Sequence, residues 1–182
     1  MEKLVSGGHS PIALVRSSSD TNKLPSQADQ RIGDLADLQG DECDGCDVVI
    51  FAAGSGGDTG ADMTDKIDRD GAMRLIDIAA KNGVSRFVML SSVGADDPSQ
   101  GGDMEHYLQA KHDADEHLKK SGLTYAIVRT VALMDDDGTG AMLFGDDVDP
   151  KSKAARADVA TVLMDTVTSD EWAGKTLLMQ SA

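Results

Sequence analysis

The sequence predicts an α/β protein, a Rossmann-like doubly wound parallel sheet that is N-terminally truncated. Three observations predict it. Short apolar runs lacking clean polar alternation recur along the chain, as strands covered on both faces do. Amphipathic helical patterns lie between them, and polar or glycine-rich segments follow the runs, where open parallel sheets hold ligands.

The first run is Ile12-Ala13-Leu14-Val15, and a short strand is expected around residues 31–33. Val48-Val49-Ile50-Phe51-Ala52-Ala53 follows, then residues 84–90, 125–128 and 176–179. Between residues 65 and 82 the side chains of Ile67, Leu75, Ile76, Ile78 and Ala79 form a broad apolar stripe, and Gly83 stands where a helix stops. In residues 105–121, Tyr107, Lys111, Ala114 and Leu118 share one helical side, with Asp113, Asp115, Glu116 and Lys119 on wetter flanks and Gly122 at the end. A last helix starts near Asp158, which is expected to cap its amides, and sets Val159, Val162, Leu163 and Val167 against the sheet. Such alternation calls for right-handed crossovers.

The length of 182 residues fits one domain, taken as residues 1–182. Lys and Arg number 17 against 32 Asp and Glu, a formal charge of −15. Nucleic acid and anionic membrane surfaces are therefore excluded as partners. Five of the acidic residues are Glu, so 32 − 5 = 27 are Asp, clustered as in Asp135-Asp136-Asp137 and Asp146-Asp147. Such a strongly hydrated surface suits a salt-rich cytoplasm, and a halophilic protein is expected. No run approaches the roughly 18 apolar residues of a membrane span, and no signal-like segment opens the chain. The reading is a soluble, cytoplasmic monomer or homo-oligomer acting on a small molecule.

Arg16-Ser17 follows the first run, Gly54-Ser55-Gly56-Gly57 the third and Ser91-Ser92 the fourth. Arg16 offers a guanidinium fork to an adenosine 2′-phosphate, tilting the cofactor to NADP with NAD still possible; the alternative is a solubilised strand end. Asp34 suits the adenine amino group with Leu35 against the base, although a plain turn explains Asp34 nearly as well. The glycines of residues 53–57 allow close approach of backbone amides to ribose and phosphate. Tyr107 precedes Lys111 by four residues, so the lysine can favour the phenolate and hold a nicotinamide ribose. Ser92 can orient a substrate oxygen, with Ser91 as its alternative. The competing reading of Tyr107 and Lys111 is an ordinary amphipathic helix in which the amine snorkels.

With GDLADL at 33–38, CDVVIFAAGSGG at 46–57, DGAMRLIDIAAKNGVSRFVMLSSVGAD at 70–96, YLQAK at 107–111 and RADVA at 156–160, the chain resembles the atypical short-chain dehydrogenase/reductases. Within these it is similar to the NAD(P)-binding, NmrA-like and flavin-reductase-like subgroup. The resemblance spans nearly the whole chain. It implies that Arg16 is the basic residue after the second Rossmann strand, that Asp34 and Leu35 are the adenine-side pair, and that Ala52, Ala53 and Gly54 form the ribose-side strand end. It matches Ser92, Tyr107 and Lys111 to the polar catalytic set, with Ser91 and Lys111 also placed beside the cofactor. Asp68 stands where many relatives carry Asn, and Thr130 where Pro is usual. The implied function is an NAD(P)-dependent oxidoreductase acting on a small carbonyl, quinone or flavin-like acceptor. The alternatives are a catalytically weak NAD(P)-sensing regulator or a relative of the nucleotide-sugar epimerases and dehydratases.

Relatives open with a strand and a GxxGxxG turn that wraps the pyrophosphate. Residues 2–9, EKLVSGGH, resemble the end of the first helix and its exit turn instead, and Gly7-Gly8 is no substitute for the phosphate loop. The absent strand belongs in the middle of the sheet, so its loss exposes backbone groups and opens the core. The favoured expectation is a working protein that begins upstream of Met1; a damaged remnant, or a rearranged or oligomeric chain, are the others.

Cys43-Asp44-Gly45-Cys46 has CxxC spacing, but acidic neighbours disfavour a thiolate and further zinc ligands are not evident, so a turn with partly buried thiols is expected and no metal. His106 adjoins Tyr107 and is read as a hydrated surface group. His112 and His117, five apart, make no facial ligand pair.

Overall fold

The computed structural model describes residues 1–56 and 59–182. Gly57, the last glycine of the expected ribose-side turn, lies outside the described residues. The chain runs α1 (Glu2–Ser6), β1 (Ile12–Val15), β2 (Asp29–Ile32), β3 (Val48–Phe51), α2 (Ala61–Thr64), a π-helical segment (Asp65–Gly71), α3 (Ala72–Lys81) and β4 (Arg86–Ser92). It continues through α4 (Glu105–Lys120), β5 (Thr124–Thr130), β6 (Ala132–Met134), β7 (Met142–Phe144), β8 (Lys153–Ala155), α5 (Arg156–Thr168) and β9 (Lys175–Ser181).

The main sheet has the order β3-β4-β5-β9-β7, parallel except for β7, which pairs antiparallel with β9. Successive residues of β4 explain why its sequence is apolar without alternation. Phe87 and Met89 enter the core beneath α3 and α4, whereas Val88 enters the opposite core beneath α5. All three are fully buried, each contributing roughly 1.5–3 kcal/mol by leaving water. Gly83 and Gly122 end α3 and α4 with φ of 76° and 83°, a backbone region costly for residues with a Cβ.

The parallel β1–β2 pair forms a separate ribbon, with no ladder to β3 among the described residues. A trough of about 570 Å³ runs between β1 and β3 on the α3 side, lined along its length by Ala13, Leu14, Val49 and Phe51. On the α5 side, a second cavity of about 740 Å³ meets Ile12, Val48, Val159 and Leu163. The expected interruption of the sheet falls here. Gly8 lines the second cavity with Pro11 and Asp47, at the amino ends of β1 and β3, opposite to the polar strand ends. That placement agrees with the reading of Gly7-Gly8 as a helix exit.

Several boundaries differ from expectation. The fourth run begins two residues later and extends through Ser92, because it ladders with β5 as far as Thr130. The short strands β6, β7 and β8 escaped the sequence reading, since three residues carry too little periodicity to register. Asp158 does not cap α5. Its carboxylate instead accepts from the amides of Thr139 and Gly140 and from the Ser181 hydroxyl, fastening a loop and β9 to the helix. Asp115 is also corrected: rather than facing water, it is completely buried.

Candidate active site at the strand ends

The carboxyl ends of β1, β3 and β4 bring together most of the residues singled out from the sequence. Arg16, Asp34, Leu35, Ala52, Ala53 and Gly54 all line the trough, the strand-end residues forming its polar mouth. Arg16 is exposed and its amide donates to Ser19 Oγ at 3.1 Å. Asp34 Oδ1 accepts from the Ala36 amide at 2.9 Å, the turn anticipated as its alternative role. Leu35 is partly buried against the core, and its carbonyl lies so close to Gly71 that a Cβ there would meet it at 2.7 Å.

The second group sits at the ends of β3 and β4, against α4. Helical spacing puts Tyr107 and Lys111 one turn apart, facing the sheet. Lys111 is 3% exposed, and its Nζ lies 3.8 Å from Asp68 Oδ1 and 5.9 Å from the centroid of the Phe51 ring. Burial pulls the lysine below its ordinary range, opposed by the carboxylates of Asp68 and Asp115.

Asp68 holds the group together. It is 1% exposed, and its Oδ2 accepts the Ser55 amide at 3.0 Å. A Cβ on Gly54 would lie 3.1 Å from its Oδ1, so the turn after β3 presses directly on this carboxylate. The residue projects from the π-helical segment, and such wide turns within α-helices are frequent at functional sites. No apolar periodicity announces a wide turn, and the sequence signalled Asp68 only through its departure from the residue usual in relatives.

Tyr107 is partly buried. Burial first, then the charges of Asp68 and Asp115, push its phenol up to about 12, while the Ser92 hydroxyl pulls it partly back. Ser92 Oγ also donates to the Val93 carbonyl at 3.2 Å. Its neighbour Ser91 points to the other face of the strand, where its hydroxyl donates to Asp115 Oδ2 at 2.9 Å. The same oxygen receives Arg129 Nε at 3.0 Å, and Asp115 Oδ1 has no hydrogen-bond partner among the described residues. Desolvation raises the Asp115 carboxyl above its ordinary range, with Arg129 opposing it. Sequence reasoning missed this cluster because an Asp in a charged helix looks like a solvated residue.

His106 Nε2 lies 3.2 Å from Asp65 and remains half exposed. Cys43 is buried and unpaired, with desolvation pushing its thiol up to about 12; Cys46 is free as well. Residues 41–46 form turns, as expected for the CxxC segment. The trough's mouth suits the adenosine end of a dinucleotide, with exposed Arg16 beside the open turn at Ala52-Ala53-Gly54, while the Lys111 ammonium lies buried outside the trough's lining, against Asp68 and Phe51.

The NAD(P)H-binding family matches residues 1–170. The uncharacterized sugar epimerase YhfK of Bacillus subtilis is 37% identical over 163 residues, covering 86% of this chain and 75% of that protein. Among solved structures, a putative NAD-dependent epimerase/dehydratase from Bacillus halodurans superposes with a TM-score of 0.92 at 38% identity, covering 99% of this chain and 86% of that one. The oxidoreductase ylbE from Lactococcus lactis gives 0.87 at 26% identity, covering 100% and 84%. No α-helix among the described residues is long and apolar enough to cross a membrane. The family match and these likenesses agree that the chain belongs to the NAD(P)H-binding family.

Proposed function

We propose that the protein is an NAD(P)-dependent oxidoreductase acting on a small carbonyl, quinone or flavin-like acceptor, with NADP the preferred nucleotide. The observation that carries this reading is the convergence of Lys111, Asp68 and the Ser55 amide beside Ser92 and Tyr107 at the ends of adjacent parallel strands. A bound nicotinamide dinucleotide supplies the hydride. Arg16 receives an adenosine phosphate, Asp34 and Leu35 flank the adenine, and Ala52, Ala53 and Gly54 admit the ribose to the backbone. Lys111 holds the hydroxyls of the second ribose. Ser92 and Tyr107 orient the acceptor oxygen through their hydroxyls.

Calorimetry and acceptor-dependent oxidation of NADPH test this reading at high salt. Saturable binding, with turnover on at least one carbonyl, quinone or flavin acceptor that is lost in Lys111→Ala, is the expected outcome. No binding of either nucleotide overturns it. Binding without turnover on any acceptor favours the sensing regulator. The epimerase named in two of the relatives is the other competitor, and interconversion of a nucleotide sugar without net NADPH consumption would favour it.

A further inference from the structure

Lys111 cannot be considered apart from the charges around it. Asp68 faces it from the π-helical segment, and Asp115 stands one turn further along α4. Arg129, on β5, is bonded to Asp115, so one of the two carboxylates already has a cation of its own. Asp68 has a different set of partners, the Ser55 amide and the Lys111 ammonium. Those two contacts use opposite oxygens of one carboxylate, which ties the turn after β3 to the lysine.

This arrangement changes what the lysine can do for Tyr107. An ammonium favours a neighbouring phenolate only as far as its field is not cancelled. Here a buried carboxylate lies 3.8 Å from Nζ, in surroundings where water screens little. The groups acting on the phenol are Asp68 from the π-helical segment, Asp115 from α4 and Ser92 from β4; Lys111 stands one turn along the same helix, paired with Asp68, and Arg129 from β5 is bonded to Asp115. Two anions and two cations meet there, and both anions act to keep the phenol protonated.

We infer that Asp68 is a positioning residue that binds Lys111 to the cofactor-side turn and withholds its charge from Tyr107, leaving the tyrosine a neutral hydroxyl and fitting the site to conjugated acceptors of the quinone or flavin class. The acceptor class rests on the oxidoreductase reading above; the phenol's state does not. A quinone or flavin takes up hydride from NAD(P)H and a proton from water, giving the dihydro-acceptor and NAD(P)⁺, so no phenol proton is required. A simple ketone needs an acid at its developing alkoxide. Tyr107 orients the first kind of acceptor and serves the second poorly.

The test begins with tyrosine ionisation, which needs neither cofactor nor turnover. In a Tyr125→Phe background Tyr107 is the remaining tyrosine of the two in the chain. Labelled at its phenol carbon for NMR, it is expected to stay neutral through about pH 9, above which an unperturbed phenol would begin to ionise. Asp68→Asn keeps an acceptor for the Ser55 amide and is expected to lower the tyrosine's midpoint by about one pH unit or more. A phenolate near neutral pH in the parent protein overturns the inference, as does an unchanged midpoint in a folded Asp68→Asn. Where Asp68→Asn fails to fold, Asp68→Ser in the same background repeats the measurement, and an unchanged midpoint there overturns the inference equally. In turnover, the parent protein is expected to reduce menadione or FMN at least about a hundredfold faster than a simple aliphatic ketone, the scale on which a missing general acid tells; ketone reduction as fast or faster overturns the acceptor assignment. Failure of NADPH to bind would instead refute the oxidoreductase reading, and the ionisation result would still judge Asp68.

Discussion

Arg86 at the start of β4 reaches across to Thr166 in the last turn of α5, its Nη1 donating to the Thr166 carbonyl at 3.0 Å. The same nitrogen contacts the carbonyls of Val167 at 3.1 Å and Ser169 at 3.0 Å, while Nη2 pairs with Asp170. A helix end leaves carbonyls without intrahelical partners, and one buried guanidinium here gathers two of them together with the carbonyl of the residue just past the helix. Arg86→Met is therefore expected to destabilise the fold by about 2–3 kcal/mol, more than its apolar stem restores. Thermal denaturation should show a midpoint lowered by roughly 5–10 °C. A change below about 2 °C would mean that water replaces the guanidinium without loss.

Gly71 closes the π-helical segment where Leu35 crosses it. An added Cβ would stand 2.7 Å from the Leu35 carbonyl and 2.9 Å from that of Lys66, both backbone atoms with little room to yield. Gly71→Ala should cost about 1–3 kcal/mol by overpacking, outweighing the gain in helix propensity. Urea denaturation at constant m-value would measure it. A stabilised Gly71→Ala would show that the loop carrying Leu35 moves freely against the helix.

Asp158 should contribute to acid sensitivity. Its carboxyl lies below the ordinary value of 3.8, held there first by the Ser181 hydroxyl and then by the Gly140 and Thr139 amides. A lowered folded pKa means that the stabilisation is complete above the unfolded value and is lost as pH falls through the folded one. Asp158→Asn is expected to be less stable than the parent near pH 6, with the difference narrowing below about pH 4. Melting curves across that range provide the comparison; a difference that widens on acidification reverses the assignment.

Arg16 distinguishes the two nicotinamide nucleotides if the oxidoreductase reading holds. Arg16→Ala should weaken NADPH binding by about tenfold or more, as expected for a lost charge-assisted contact, and leave NADH within about threefold. Calorimetric titration of both nucleotides reads the ratio. Equal losses would place Arg16 on the shared pyrophosphate, and no loss would leave it a solvated strand end.

Much of the architecture was legible because it depends on local pattern. Val88 and Met89 enter opposite cores from adjacent positions, and the unbroken apolar run that results is itself the signature of a strand covered twice. Gly83 and Gly122 marked helix ends for an equally local reason. Asp115 and Asp158 were misread because their burial depends on partners distant in sequence: Arg129 on β5 and Ser181 on β9. The candidate site divides in the same way. Residue types and spacing exposed Arg16, Tyr107 and Lys111, but the contact between Asp68 and Lys111 spans 43 positions and depends on a wide helical turn that no short pattern encodes.

The break between β1 and β3 has a consequence for how the molecule opens. Among the described residues the β1–β2 ribbon has no ladder like those that fasten β4 between β3 and β5, so these parts need not share one cooperative unit. Amide deuterium uptake should be early in residues 12–15 and 29–32 and late in β4 and β5. Asp34 and Leu35, the proposed adenine-side pair, ride on the early-opening part and Lys111 on the slow one, so a molecule spanning both would act as a cross-brace whose grip is readable as slowed exchange in the ribbon.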